Sequence, residues 1–482
     1  MVKYMNNKIV TRIKEEFKNC PDLILKEIHL NNKEVIYIAY LESVSGSDKV
    51  NDYILKNLSL LSGEKEKNLK NIQSLIPAPN TVELTEPDQI EFYITNGFTI
   101  VIHNSEIFAM ETKADINRGI PEPTSEPAII GPKDGFTENI QINLGLVKRR
   151  IKSSTLKTNS LVVGRKTTTM INILYCDDIA EQENIDLVKK EIEKIDIDGI
   201  LDSGSIAEFL EIENNSHFPT VVRTERPDAV SNALLEGKIA ILVDTSPFAL
   251  IVPAFFSDFI NPVADNYQKA KNINYLKIIR LACFFLTIVT PGFYIAMINY
   301  NPETIPTSLL INFGTQRADV PFPAIVEALI MLIICEILKE SDVRFPNSYG
   351  SAISILGALV LGEAAVSAGI VSPIMIIVIA FTFITSLIFT NQEIVSAIRH
   401  FRFIFLFAAT LYGLFGVFLT FIYFFIHVTE LTSIKKPYFY PLAPYDKIYL
   451  NKGILKKRVD KEILRSSMLT NQNKTRQRRN EI

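Results

Sequence analysis

The chain divides by its pattern of apolar and polar positions. Up to about Gly237, short apolar stretches alternate with charged ones. From Lys238 to Val428 long apolar runs dominate, and after them the sequence turns basic. In the first part, helical spacing at Ile9–Phe17 and Asp52–Leu61 predicts helices, and Val35–Tyr40 predicts a strand. Phe98–Thr112 reads as a hairpin, FTIVIH and EIFAMET, turning at Asn104 and Ser105. Thr137–Lys152 carries Ile140, Leu144, Val147 and Ile151 at helical spacing and has a basic end, Lys148, Arg149 and Arg150. Ser160–Arg165 and Thr168–Cys176 predict paired strands, Asp186–Ile195 a helix, and Ile197–Leu210 short helical pieces. The fold class is therefore an α+β soluble N-terminal region followed by a polytopic α-helical membrane domain. The soluble region comprises two small α/β subdomains, 1–80 and 81–217. Residues 218–237 read as an extended linker, because residues before proline avoid helix.

The membrane domain spans 238–430, with four to six apolar segments. Lys238–Ile260 is apolar but holds Asp244, Pro247, Pro253 and Asp258, which predicts a re-entrant or interfacial piece buried in protein. Leu276–Asn299, Ile374–Thr390 and Phe403–Val428 read as spans, since ~20 apolar residues cross a bilayer. Pro321–Leu338 is shorter, and Ser351–Val371 is crowded with Gly, Ala and Ser. In the basic tail, 431–482, Leu455, Val459 and Ile463 predict an amphipathic helix suited to an anionic membrane surface or to packing on the soluble domain. The residues through Arg476–Arg479 are expected to be disordered. The positive-inside rule pulls Lys269–Arg280 and the tail toward the cytoplasm. Four spans satisfy both but turn Arg399 and Arg402 outward. The first residues lack an apolar signal-peptide core, so the soluble region is expected in the cytoplasm.

Composition adds exclusions. The 482 residues are 48% hydrophobic with a net charge of −3, an average over unlike halves that points to no nucleic-acid partner. The four cysteines are far apart and form no C-x-x-C, so neither a disulfide framework nor a zinc or redox site is implied. Phosphate-loop, dinucleotide, zinc-protease and serine-hydrolase motifs are missing, so no enzyme, cofactor or metal is expected. The five histidines look scattered, with no ligand partner at i+3 or i+4. Gly131–Gly135 reads as a structural turn.

The candidate chemistry lies in Pro321–Pro373, two apolar stretches joined by a polar turn and holding Glu327, Glu336 and Glu363. Carboxylates there are costly unless they pair, face protein or line water. Glu327 follows Pro323 by four residues, near a helix start where the dipole favours an acid. Glu336, nine positions on, faces the opposite side, with Lys339 as its expected ion-pair partner. These two are secondary candidates. Ser354, Ala358, Gly362, Ala365 and Gly369 step along one narrow helical face, with Glu363 at its edge. Small residues allow close helix packing. In a symmetric oligomer the same face would bring copies of Glu363 into an acidic ring. The pore-lining candidates are Ser354, Ala358, Gly362, Glu363 and Ser367.

Several long motifs then carry a family resemblance. They are GPKDGF (131–136), NLGLVKRRI (143–151), FPTVVRTERPD (218–228), GKIAILVDTSPFALIVP (237–253) and VPFPAIVEALIMLIICEILKESDVRFPN (320–347). The Gly/Ala segment through Pro373 and the tail patch PYFYPLAP also fit. The chain resembles the A subunit of the GerA-type spore germination receptors, and a sporulation paralogue of that family would fit the same motifs. Ile130 stands where the family has a basic residue, and Leu332 where it often has an acid. The resemblance implies an integral protein of the inner spore membrane with a cytoplasmic N-terminal domain. It implies a transporter-like B subunit and a lipoprotein C subunit as partners, and a homo-oligomer, in the family a pentamer. The expected function is a gated ion channel that releases cations when a partner binds nutrient; the alternative is a non-conducting scaffold for the receptor. Coupling between soluble and membrane parts is assigned to Glu225, Arg226, Pro227, Asp244, Ser246 and Pro247.

Overall fold

The computed structural model describes residues 2–29, 35–63, 76, 78–104, 106–115, 120–126, 130–211, 216–344, 362–470 and 472–477. The first unit starts with helix α1 (Val2–Glu16) and strands β1 (Leu23–His29) and β2 (Val35–Leu41). Strand β3 (Thr81–Leu84), helix α2 (Ile90–Thr95), β4 (Phe98–His103) and β5 (Glu106–Glu111) complete it. The antiparallel sheet runs β1-β2-β4-β5-β3. Side chains alternate across a strand, so Ile36, Ile38 and Tyr40 enter one core while Tyr37, Ala39 and Leu41 enter the other. The expected hairpin at 98–112 is present, and β1 and β3 were not anticipated. The first sheet extends well past residue 80, which moves the expected subdomain boundary: β3, β4 and β5 belong to the first unit.

The second unit contains helix α3 (Ile140–Lys148), strands β6 (Leu156–Val163) and β7 (Thr169–Cys176), and helices α4 (Gln182–Glu193) and α5 (Ser203–Leu210). It continues through β8 (Val222–Thr224), helix α6 (Pro227–Glu236), β9 (Ile239–Val243) and β10 (Ala249–Val252). The strand order is β6-β7-β9-β10-β8. Two expectations are corrected here. Residues 218–237 are not a linker, because they supply an edge strand and a helix that starts on Pro227 and ends on left-handed Gly237. Residues 238–252 are not a membrane piece but two strands of this sheet. Ile239 and Ile241 pack beneath α4 and α5, while Ala240 and Leu242 pack beneath α3 and α6. A strand buried on both faces reads as a continuous apolar run, which hydropathy alone does not separate from a membrane segment. The two units are joined by a buried ion pair, with Lys148 Nζ 2.6 and 2.7 Å from the Asp22 carboxylate oxygens.

The apolar part begins with α7 (Ala270–Tyr300), then α8 (Thr307–Arg317), α9 (Ala324–Arg344), α10 (Pro373–Ser386) and α11 (Gln392–Glu430). Among the described residues two helices are long and apolar enough to cross a membrane, α7 and α11. The expected Phe403–Val428 span is not one straight crossing. A 39-residue helix would be ~58 Å long, but at Gly413 the backbone takes φ 62° and ψ −142° and the chain doubles back. Phe405 meets Phe421 with ring centroids 4.9 Å apart, and Phe401 meets Phe424 at 5.2 Å. The reversal needs glycine: a Cβ at Gly413 would lie 2.7 Å from the Tyr300 ring, and one at Gly416 would lie 2.0 Å from the Ala408 carbonyl oxygen.

The tail also departs from expectation. Helix α12 (Lys447–Gly453) ends before the basic stripe, and Val459 is exposed. Residues 454–470 and 472–477 pack on the rest of the protein: Arg465 donates to the Leu235 carbonyl, Asn473 reaches Asp178, and Leu469 is buried in a cluster with Phe255, Tyr440 and Tyr449. Arg476, expected in a disordered end, is held by the Ile463 carbonyl and by Glu462. This favours the packed reading of the tail over the membrane-surface one.

Replacing Gly413 by alanine forces an L-residue into a region almost reserved for glycine and against Tyr300. The expected cost is about 1–3 kcal/mol, seen as a lower thermal midpoint of the detergent-purified protein. Gly314, which has open space around its Cβ position, serves as the control: its alanine variant is expected to leave the midpoint unchanged or slightly raised.

Candidate functional site

The three acids of 321–373 meet three different fates. Glu327, in the first turn of α9, is fully buried. Its Oε2 accepts from the backbone N–H of Ser372 at 2.9 Å and from its hydroxyl at 2.7 Å, and Arg317 Nε lies 3.4 Å from Oε1. The acid ties the start of α9 to the cap of α10 and the end of α8. Glu336 is held by Arg402 at 2.6 Å and Arg399 at 2.9 Å. This corrects the expected Lys339 partner: Lys339 lines the same small polar gap, but the direct partners come from the first arm of α11. Residues 66 positions apart leave no trace of such a pair in local spacing. Both acids are thus neutralised inside the protein.

Glu363 differs. It is exposed on a helical stretch, 362–367, and makes no hydrogen bond or ion pair with any described residue. Ser367, four residues on, is exposed too, and one helical turn puts the two on one face. The pore-lining candidate Gly362 and the stripe residues Ala365 and Gly369 are placed apart from them. Gly362 is buried near Ile376, and Ala365 packs against the cluster holding Met331 and Met375. Gly369 has φ +62° beyond the end of that helix, so it does not continue the small-residue face. Ser354 and Ala358 lie outside the described residues.

The coupling candidates cluster within the second unit. Glu225 accepts from the N–H of Thr124 at 2.8 Å. Buried Arg226 forms a two-point pair with Asp228 and also reaches the carbonyls of Glu126 and Pro132. Pro227 is the first residue of α6. Asp244 accepts weakly from the N–H of Ile140, and Ser246 bonds the Asp202 carboxylate and the Ser203 hydroxyl. Pro247 lies in the turn before β10. These six brace the unit internally. The direct ion pair to the helices comes from a residue inside the same motif, Arg223, whose Nε is 2.9 Å from Glu393 at the start of α11.

Three histidines that look scattered in the sequence converge. The His217 and His400 rings meet tilted, with centroids 4.0 Å apart, and His427 Nε2 is 2.8 Å from Ser216 Oγ. The fold back at Gly413 brings His400 and His427 together, so no spacing rule finds them. Among the described residues no group of three or more His, Cys, Asp or Glu is arranged to hold a metal.

The Bacillus/Clostridium GerA spore germination protein family matches residues 11–468. The chain belongs to the GerA family. It is 36% identical to spore germination protein KA of Bacillus subtilis (strain 168) over 91% of this chain and 82% of that one. It is 34% identical to the uncharacterized membrane protein YfkQ of the same strain, over 91% and 87%. It aligns with the N-terminal domain of the A subunit of the Bacillus megaterium spore germinant receptor GerK3 at 30% identity. That alignment covers 51% of this chain and 94% of the other, with a TM-score of 0.40. Within this GerA protein, Gly131 of the GPKDGF motif has a physical reason. Its φ is +127°, and a Cβ would lie 2.7 Å from the Tyr267 ring. The Tyr267 hydroxyl donates to Asp228 at 2.6 Å, and burial with that bond holds the phenol above its ordinary value.

Beside this network burial pushes the Glu126 carboxyl up to about 6, against the lowering pull of the Thr224 hydroxyl and Arg226. The folded protein then holds a proton that the unfolded chain releases near 4.5, so stability falls as pH rises through that interval. Glu126→Gln cannot ionise and keeps an acceptor for Thr224. Wild type is expected to lose about 2 kcal/mol relative to Glu126→Gln between pH 4.5 and 7, read from denaturant midpoints at both pH values.

Proposed function

We propose that this GerA protein is the A-type subunit of a nutrient-responsive spore germination receptor, and that copies of it assemble around a cation pathway in the inner spore membrane. The observation that carries the reading is the contrast among the three acids. Glu327 and Glu336 are engaged by internal partners, whereas Glu363 presents a carboxylate with no partner among the described residues, on an exposed face shared with Ser367. A ring of such faces would offer successive carboxylates to a passing cation. The outer surface of the helices is also apolar, with Ile377, Phe381, Ile384, Phe415 and Phe418 exposed, which suits lipid and neighbouring copies.

In this reading a transporter-like B subunit senses nutrient and a lipoprotein C subunit completes the complex. The soluble units lie in the cytoplasm and pass the change through Arg223–Glu393 to the hairpin. The ligand acts by binding one of two pre-existing states more tightly.

The test is cation flux from proteoliposomes holding the full receptor, with nutrient added. Glu363→Gln is expected to cut the flux severalfold while cross-linking still traps the oligomer. Glu327→Gln is expected to lower thermal stability instead, because it weakens the tie to Ser372. No nutrient-dependent flux from an intact oligomer would leave the non-conducting scaffold as the function.

A further inference from the structure

A cavity of about 510 Å³ lies where the second soluble unit meets the helices. Its walls come from three separate parts of the chain. They are α6 with the segment that follows β10, the first turns of α7 with the 388–391 turn before α11, and the tail. Volumes of ~300–1,000 Å³ at domain junctions are the usual setting for small-molecule sites.

The cations around this cavity are nearly all engaged. Arg280 holds Asp265 at 2.6 and 3.0 Å, and Arg226 holds Asp228 at 2.8 Å. Lys238 holds Asp258 at 2.6 Å, and Arg476 holds Glu462 at 3.1 Å. Lys456 Nζ caps the carbonyls of Asp265, Asn266 and Gln268 at 3.3, 2.7 and 2.7 Å.

Lys277 is the exception. It lines the cavity and is 6% exposed, yet it forms no hydrogen bond or ion pair with any described residue. A buried ammonium without a partner is expensive, by several kcal/mol or more. The charges that act on it are Asp265, Arg280, Lys456 and Glu462. Over the whole lining six cations face five carboxylates, Glu126, Glu236, Asp258, Asp265 and Glu462, an excess of one positive charge. Lys277 also sits seven residues into α7, ~10 Å from its start, at the end of the bundle that faces the soluble unit.

We propose that this cavity is a binding site for a small anionic group, a phosphate or carboxylate, held by Lys277. The chemistry fits two sources, the headgroup of an anionic phospholipid and a free soluble anion. Either would link soluble unit, helices and tail through one shared counter-charge. The site stands whether or not the helices conduct ions.

The test uses the full chain purified in a neutral detergent at constant ionic strength, with thermal unfolding as the readout. The probes are inorganic phosphate, phosphatidylglycerol and, as the uncharged-headgroup control, phosphatidylcholine. A ligand that binds only the folded state raises the midpoint as its concentration passes its dissociation constant. Wild type is expected to shift with an anionic probe and not with phosphatidylcholine. Lys277→Met is expected to lose the shift and Lys277→Arg to keep it. Without ligand, Lys277→Met should unfold at or above the wild-type midpoint, since it removes an unpaired buried charge; that result also shows that the variant is folded. A shift with phosphate assigns a soluble anion, and a shift with phosphatidylglycerol alone assigns a lipid headgroup. No shift with either probe, or an undiminished shift in Lys277→Met, overturns the proposal. Should that variant fail to fold, equilibrium binding of radiolabelled phosphate and phosphatidylglycerol to wild type decides alone, and saturation by neither overturns it.

Discussion

The structure depends on one shared aromatic core. Phe218, in the stretch leading to β8, packs against Phe401 of α11 at 5.4 Å, Phe424 at 6.0 Å and Tyr438 of the tail at 6.2 Å. Phe256 follows β10 and meets Phe284 of α7 edge-on at 5.1 Å. Besides its own two cores, the second unit therefore shares this cluster with the helices instead of being joined to them by a tether alone. Buried aromatic rings each remove a large apolar area from water and prefer tilted or edge-on contacts. Few arrangements satisfy so many rings at once, so the two parts meet in a defined geometry. A displacement on the soluble side has no slack segment in which to dissipate.

That constraint explains where polar groups survive burial. The Arg226–Asp228–Tyr267 network and the Arg223–Glu393 pair border the aromatic core on the soluble side. On the helix side, Glu336 collects Arg399 and Arg402. Glu336 and Glu393 take their cations from far away in sequence, whereas Asp228 pairs with Arg226 two residues before it and with Tyr267 39 positions on. Such pairs stabilise little against an apolar alternative but are costly to break, which suits residues that fix register between parts.

Local pattern accounted for much of the fold. The hairpin at 98–111, the strands at 156–163 and 169–176, and the helices at 140–148 and 182–193 all follow from alternation or helical spacing. The misreading of 238–252 as a membrane piece has one cause. Strands β9 and β10 are covered on both faces, so their run of Ile, Ala, Leu and Val loses the alternation that marks a half-buried strand. The site was legible only in part. Glu363 stands out in the sequence as an acid beside small residues, and the structure places it on an exposed helical face. The partners of Glu336 and the meeting of His217, His400 and His427 depend on long-range folding, which spacing does not encode. That Lys277 has no partner among the described residues is visible only once its neighbours are known to be engaged with one another.

The reversal at Gly413 also bears on the orientation that the proposed membrane placement would take. A segment that leaves one face and returns to it adds nothing to the parity of crossings. Arg399 and Arg402 near its beginning then lie on the same side as Lys435 and Lys436 just after its end. Two basic clusters that oppose each other along a single straight span reinforce each other around a hairpin. The charge distribution of the last hundred or so residues becomes one consistent signal for orientation, set by the conformational freedom of a single glycine.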